Sequence, residues 1–307
     1  MDARRAVLAP KARSGTGAAL PLLRFGFRTL SAVSIGLAAR AVQRVWFTPP
    51  RPRRSSAPAA FLGTGTRAGI PVNGREVVAW SWGEGPAILL MHGWGGSAAQ
   101  FESFIEPLVR AGHRVVAFDG PAHGESGPSR LGKRQSTFFD FADALVELSR
   151  IYGPVAGVIA HSGGCTAVAW AVRNGWTIPA AVFLAPMGSP ISYQRVFADA
   201  LGLSDAVMQR FTANVERDLE FRWRDLEIAE VSRVASTPPL FIVHDRDDRE
   251  TSWRESQNIV AAWPDAKLRT TTGLGHNRIL RDASVVSDAI HFVVTRTRAA
   301  ESVLMPA

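Results

Sequence analysis

Between residues 75 and 298 short apolar runs alternate with longer stretches of helical periodicity, and that alternation narrows the fold more than any other feature of the chain. Segments 75–82, 87–91, 114–118, 155–160, 180–184, 240–243 and 267–271 read as strands. Segments 100–111, 136–152, 165–173, 252–263 and 283–298 read as helices. Several strands, such as VAGVIA at 155–160 and LFIV at 240–243, are apolar almost throughout. A strand of that kind is covered on both faces, which is the condition of a parallel sheet. Helices between the strands carry the chain back across each face. The expected fold class is therefore α/β, a mostly parallel sheet flanked by helices. Reactive groups in such a sheet belong on loops at the carboxyl ends of the strands.

One stretch interrupts the alternation. Residues 191–236 hold no strand-like run, are rich in helix formers and charges, and offer Ser204 and Asp225 as helix N-caps. They read as a helical lid between two strands, a cap over about 189–236. Its apolar residues, Phe197, Phe211 and Trp223 among them, are expected to divide between packing the lid and facing a pocket. The single cysteine, Cys165, excludes an intrachain disulfide and a cysteine-built metal cage. It reads as a packing residue, and a chain without disulfides suits the reducing cytoplasm.

The net charge of +8 is unevenly spread. Residues 1–55 hold eleven basic residues against one acid, Asp2, so the rest of the chain is slightly acidic. A nucleic-acid-binding face on the main domain has no support in that balance. From 20 to 45 apolar residues recur at helical spacing (Leu20, Leu23, Phe27, Leu30, Leu37, Ala41, Val45), interrupted at Ser34 and flanked by Arg24, Arg28, Arg40 and Arg44. The longest charge-free stretch, 29–39, is too short to span a bilayer. Two readings stay open: a helix that packs its stripe on the main domain or on a second copy, and a helix that docks peripherally on an anionic membrane surface. An organelle-targeting segment is a third. The Pro- and Arg-rich run that follows, 49–56, reads as an extended linker. The expected division is thus a basic N-terminal segment over 1–55 and a main domain over 56–307.

The segment VIAHSGGCTAVAW places Ser162 in a turn between a buried strand and a helix, with small residues, Ala160 and Gly164, two positions before and after it. A serine held in such a sharp bend projects its hydroxyl above the sheet. A hydroxyl is nearly inert at neutral pH and needs a base and an orienting carboxylate. His276, in the loop TGLGHN ahead of the last helix, is the candidate base. The run HDRDDR after strand 240–243 supplies the acid, with Asp248 preferred and Asp247 and Asp245 open as alternatives. The two carboxylates not used are expected to form a solvated turn beside Arg246 and Arg249. An acyl intermediate also needs donors for its oxyanion. The backbone N–H groups of Trp94, in the glycine-rich loop HGWGG, and of Gly163 form the natural pair, with the Trp94 indole walling the substrate pocket. His161 and His123 are candidates for pocket contact, whereas His113, His244 and His291 look structural. No histidines stand at metal-ligand spacing and no phosphate-binding loop is present, so neither metal nor cofactor is expected.

Five elements in order resemble the α/β-hydrolase fold family: HGWGG at 92–96, DGPAHGESG at 119–127, AHSGG at 160–164, the strand and acid loop up to Asp248, and GLGH at 273–276. The resemblance covers about residues 70–298. It implies an eight-stranded sheet, a helical cap, a Ser162–His276–Asp248 triad and an oxyanion site at Trp94 and Gly163. Asp245 stands where the family usually has glycine, and Ala160 replaces the first glycine of the serine turn. The function implied is a serine hydrolase acting on ester or thioester bonds of a small-molecule or acyl-lipid substrate, located in the cytoplasm or at a membrane. The same constellation serves acyltransferases, peptidases and cofactor-free haloperoxidases, and a non-catalytic ligand-binding module on this scaffold is the reading from a different class.

Overall fold

The computed structural model describes residues 19–50 and 60–304, with side chains for 20–50 and 60–296. The linker expected at 49–56 lies mostly outside the described residues, as do Arg4, Arg5, Lys11 and Arg13. The chain forms two compact units, one of Met1–Thr48 with Ser189–Glu227 and one of Pro49–Gly188 with Ile228–Ala307.

The larger unit is built on a sheet of eight strands, β1 (Thr66–Val72), β2 (Arg75–Trp82), β3 (Ala87–Met91), β4 (Arg114–Phe118), β5 (Val155–His161), β6 (Ala181–Leu184), β7 (Leu240–Asp245) and β8 (Ala266–Thr271). Their order across the sheet is β1-β2-β4-β3-β5-β6-β7-β8. Strands β3 to β8 run parallel, and β2 is antiparallel to both of its neighbours. The sheet is thus mostly parallel, as the alternation of runs requires.

Side chains on β3 alternate between two cores, as the two-residue period of a strand dictates. Leu89 and Met91 join Val116, Phe118, Phe141 and Val168 on one face. Ile88 and Leu90 join Trp80, Phe104, Leu108 and Val293 on the other. The first core lies under helices α4 (Phe138–Tyr152) and α5 (Gly163–Arg173), and the second under α3 (Glu102–Arg110) and α10 (Ala283–Leu304). A Cβ on Gly157 of β5 would stand 2.4 Å from Val293 Cγ2 of α10, so glycine lets that helix sit close on the sheet.

Strand β1 is absent from the sequence reading. Its residues TRAGIPV contain Gly69 and Pro71, which weaken a strand pattern. It lies at the edge of the sheet, where proline is tolerated. The signal for it was Asn73-Gly74, whose positive φ values of 48° and 73° make the tight turn into β2.

The smaller unit contains helices α1 (Ala19–Val33) and α2 (Ile35–Trp46) with two helices of the insertion, α6 (Pro190–Leu201) and α7 (Asp205–Leu219). The single helix expected over 20–45 is broken at Ser34, whose backbone is extended (φ −161°, ψ 119°) and whose hydroxyl accepts from Leu37 N at 3.3 Å. Serine is suited to that N-cap role. The break changes the phase of the apolar face. Phe27, Ala38, Ala39 and Val42 are buried, while Leu37 and Val45 of the expected stripe are exposed. Within this unit the buried face packs on the insertion, a part of the expected 56–307 domain. Trp46 packs edge-on against Tyr193, Phe197 and Trp223 at ring-centroid distances of 5.6, 5.1 and 5.6 Å. Gln43 Nε2 donates to Asp218 at 3.4 Å, and Arg24 Nε to the carbonyl of Ala200 at 2.8 Å. The insertion's share of this unit ends at Glu227 rather than near 236, because 228–233 belongs to the larger unit, where Ile228 and Val231 enter the sheet core and Ile228 O accepts from Trp263 Nε1.

Candidate active site

Ser162 follows β5 in a backbone conformation of φ 53°, ψ −123°, a positive-φ region that side chains rarely adopt. Strain of this kind costs of order 1–3 kcal/mol and persists only where the surroundings enforce it. Here the Ser162 amide donates to Leu184 O at 3.0 Å, and Ser162 O accepts from Cys165 N and Met187 N at 3.0 and 3.2 Å. The glycines around it are sterically required. A Cβ on Gly164 would stand 2.5 Å from His92 O, and one on Gly163 2.9 Å from a Phe138 ring carbon. Ala160, where the family pattern has glycine, is a fully buried strand residue and disturbs nothing. Cys165 is fully buried, and burial pushes its thiol well up, in keeping with a packing residue.

The structure brings Ser162, His276 and Asp248 together although they are far apart in sequence. Ser162 Oγ lies 3.0 Å from His276 Nε2, and His276 Nδ1 lies 2.7 Å from Asp248 Oδ2. An N–H at Nδ1 donating to the carboxylate leaves the Nε2 lone pair to accept the serine proton. Asp248 has no exposed side-chain surface. Burial alone would raise its pKa, but hydrogen bonds from His244 and His276 outweigh that and hold the carboxyl far below the usual range. Its other oxygen, Oδ1, accepts from the amides of Glu250 and Thr251 at 2.7 and 3.1 Å.

Asp245 has a different duty from the solvated turn expected of it, whereas Asp247 is exposed as expected and makes one tie of its own. Asp245 is fully buried, and its Oδ2 accepts from Thr271 Oγ1 at 2.7 Å and Leu274 N at 2.9 Å. Asp247 Oδ2 accepts from Gly273 N at 2.8 Å. The two carboxylates tie the acid loop to the loop that carries His276, so the aspartate at the family's glycine position is a structural tether. Burial opposes its charge, but the donors from Thr271 and Leu274 prevail and lower its pKa.

His161 also departs from expectation. It is 2 % exposed, and its Nε2–H donates to the main-chain carbonyl of His276 at 3.0 Å. It braces the loop that carries His276. Burial, then the neighbouring His276, lowers its pKa to about 3, so the ring is neutral. His92 and His123 hold the loop at 92–96 in the same neutral form. His92 Nδ1–H donates to Gly93 O at 2.7 Å while Nε2 accepts from Gly120 N at 2.8 Å. His123 Nδ1–H donates to Pro121 O at 3.0 Å while Nε2 accepts from Gly95 N at 3.1 Å. His123 therefore shapes this loop. Asp119 is buried as well and pins both flanks of its turn, accepting from Ala98 N and Glu125 N at 2.8 Å each.

The loop so held stands against the serine. A Cβ on Gly93, the residue before Trp94, would come within 2.8 Å of Ser162 Cβ. The partly exposed Trp94 ring packs edge-on against His123 and Phe138 at 5.3 and 5.5 Å. Gly163 is the first residue of α5, where an amide has no acceptor within its own helix.

Thr251 escaped the sequence reading, and His244 was read there only as structural. Thr251 Oγ1 lies 3.1 Å from Asp248 Oδ2, and His244 Nε2 lies 3.3 Å from the same oxygen. The available signal for His244 was its place at the carboxyl end of β7, four residues ahead of the acid.

Residues 86–255, more than half of the chain, match the alpha/beta hydrolase fold family. The chain is 30 % identical over 104 residues to a non-heme haloperoxidase of Rhodococcus erythropolis, a match that covers 34 % of this chain and 37 % of that protein. It thus spans only about a third of the length of the curated relatives it first matches. Among solved structures, a monoacylglycerol lipase of Paleococcus ferrophilus superposes with a TM-score of 0.55 at 21 % identity, covering 72 % of this chain and 99 % of the lipase. An esterase of Pyrococcus furiosus superposes with a TM-score of 0.57 at 19 % identity, covering 82 % of this chain and 97 % of the esterase. With the eight-stranded, mostly parallel sheet and its flanking helices, these matches show that the chain belongs to the alpha/beta hydrolase fold family.

Proposed function

We propose that this chain is a serine hydrolase that cleaves carboxylic ester or thioester bonds through an acyl-enzyme. The reading rests on one observation, the unbroken relay of Ser162 Oγ, His276 Nε2, His276 Nδ1 and Asp248 Oδ2 at 3.0 and 2.7 Å. Structural neighbours that are lipases and esterases share the fold and make ester chemistry the first to test.

In this mechanism His276 Nε2 takes the Ser162 proton as Oγ attacks the substrate carbonyl carbon. The carbonyl electron pair moves to oxygen, and the oxyanion accepts hydrogen bonds from the Trp94 and Gly163 amides. Collapse of the tetrahedral species breaks the bond to the leaving alkoxide or thiolate, which takes the proton from His276 Nε2. Water then gives a proton to His276 Nε2 as it attacks the acyl carbon, and a second collapse breaks the bond to Oγ, which takes that proton back from Nε2 and frees the acid. Asp248 holds the imidazole in the required tautomer and stabilises it while it is positive. The Trp94 indole forms one wall of the acyl site.

A fluorophosphonate probe should label Ser162 in the full chain, and p-nitrophenyl esters should be turned over with a burst. Absence of both label and turnover overturns the reading, and tight ester binding without product marks a ligand-binding module instead. A panel of acyl chain lengths then separates short-chain esterase from lysophospholipase-like specificity.

A further inference from the structure

The smaller unit carries an apolar surface that its own packing does not use. On α1, Leu22, Phe25 and Val33 are 71, 69 and 74 % exposed. At 100° per residue these three, with Gly26 and Thr29 between them, lie along one side of the helix. Ile35 and Leu37 of α2, beyond the break at Ser34, are also exposed, at 45 and 50 %.

Leu37 also borders a cavity of about 450 Å³ whose lining includes Ser34, Arg40, Arg210, Asn214 and Arg217. Three arginines from two helices therefore line one cleft that the exposed Leu37 borders. Arg217 is paired with Asp218 at 2.7 Å. Among the described residues Arg40 and Arg210 have no ion-pair partner. No helix among the described residues is long and apolar enough to cross a membrane. A surface of this kind lies in the interfacial plane of a bilayer, its apolar side chains among the acyl chains and its arginines at headgroup level.

We propose that this face docks the chain on an anionic phospholipid bilayer, with Leu22, Phe25 and Val33 entering the interface and the Arg40–Arg210–Arg217 cleft taking a phosphodiester headgroup. Charge decides between this occupant and a second copy of the chain. A two-fold pairing of this face with itself would bring like arginines together, whereas an anionic leaflet attracts all of them. The ten other basic residues within 1–55 raise the net positive charge of the chain that an anionic surface attracts. Neither the serine nor its partners take part, so the proposal stands or falls apart from the ester hydrolase reading.

The test is flotation of the full chain with vesicles of phosphatidylcholine alone and with about 30 % phosphatidylglycerol. The chain should float with the anionic vesicles, remain behind with neutral ones, and be released by about 0.5 M salt. A Phe25→Glu/Val33→Glu variant should lose flotation, and an Arg40→Gln/Arg210→Gln variant should bind roughly tenfold or more weakly. All four positions are exposed, so circular dichroism and the thermal midpoint should match the parent within about 2 °C. The proposal is overturned if the parent stays in solution with anionic vesicles, or if both variants float as it does. A concentration-dependent dimer that Phe25→Glu/Val33→Glu dissolves would also overturn it, by assigning the face to a second copy.

Discussion

His244 Nε2 stands 3.3 Å from Asp248 Oδ2, in a place where neither side chain has exposed surface. Its other ring nitrogen, Nδ1, accepts from Ser256 Oγ at 2.7 Å. The carboxylate that orients His276 is therefore itself oriented by a second histidine. A buried charge is stable only when its acceptor sites are filled, and His244 fills one of them.

Removal of that donor should loosen the acid and, through it, the base. His244→Leu should lower kcat roughly tenfold with KM little changed, and cost about 1–3 kcal/mol of stability. His244→Gln, which restores an N–H near the same place, should recover most of the rate. Equal rates for the two variants in steady-state kinetics would assign His244 to packing alone.

Ser162→Ala should reduce ester turnover by about three to six orders of magnitude while the fold persists. Stability should respond differently to glycine. Because residue 162 is held at φ 53°, Ser162→Gly should be more stable than Ser162→Ala by about 1 kcal/mol in urea unfolding. Equal midpoints would mean that the bend stores no strain.

The neutral histidines make the fold sensitive to mild acid. Burial, the largest cause at each, lowers His92 to about 3, His123 to about 4 and His161 to about 3. Below about pH 6.5 the unfolded chain binds protons that these rings refuse in the fold, so stability is complete above that pH and falls as pH drops towards 4. Each ring contributes a slope of up to about 1.4 kcal/mol per pH unit in that window. Asp248, held low, adds a further loss below about pH 4. The thermal midpoint should therefore drop by several degrees between pH 7.5 and pH 5, and a flat profile over that range would contradict neutral burial of the three rings.

Trp46 is the point at which the N-terminal helices meet the insertion, touching Tyr193, Phe197, Phe211 and Trp223. Trp46→Ala should cost the smaller unit about 3–5 kcal/mol. Limited proteolysis should then cut within 19–48 and 189–227 while β3 to β8 stay protected. Unchanged resistance of those segments would show that the unit does not depend on this cluster.

The amino-acid sequence by itself determined the α/β class, the placement of Ser162 between β5 and α5, and the order of serine, acid and histidine along the chain. These are local or periodic properties: apolar runs, small residues around one turn, glycines and histidines in single loops. Tertiary structure alone decided what depends on partners distant in sequence. Asp248 receives His244 as well as His276, Asp245 is a buried tether rather than a solvated turn, and His161 grips the His276 backbone across 115 residues. The face of the N-terminal helices was equally out of reach, because one extended residue, Ser34, rotates the second helix out of phase with the first. A hydrogen bond or a buried face needs a particular neighbour in space, and a residue pattern records the tendency to be buried without recording which neighbour does the burying.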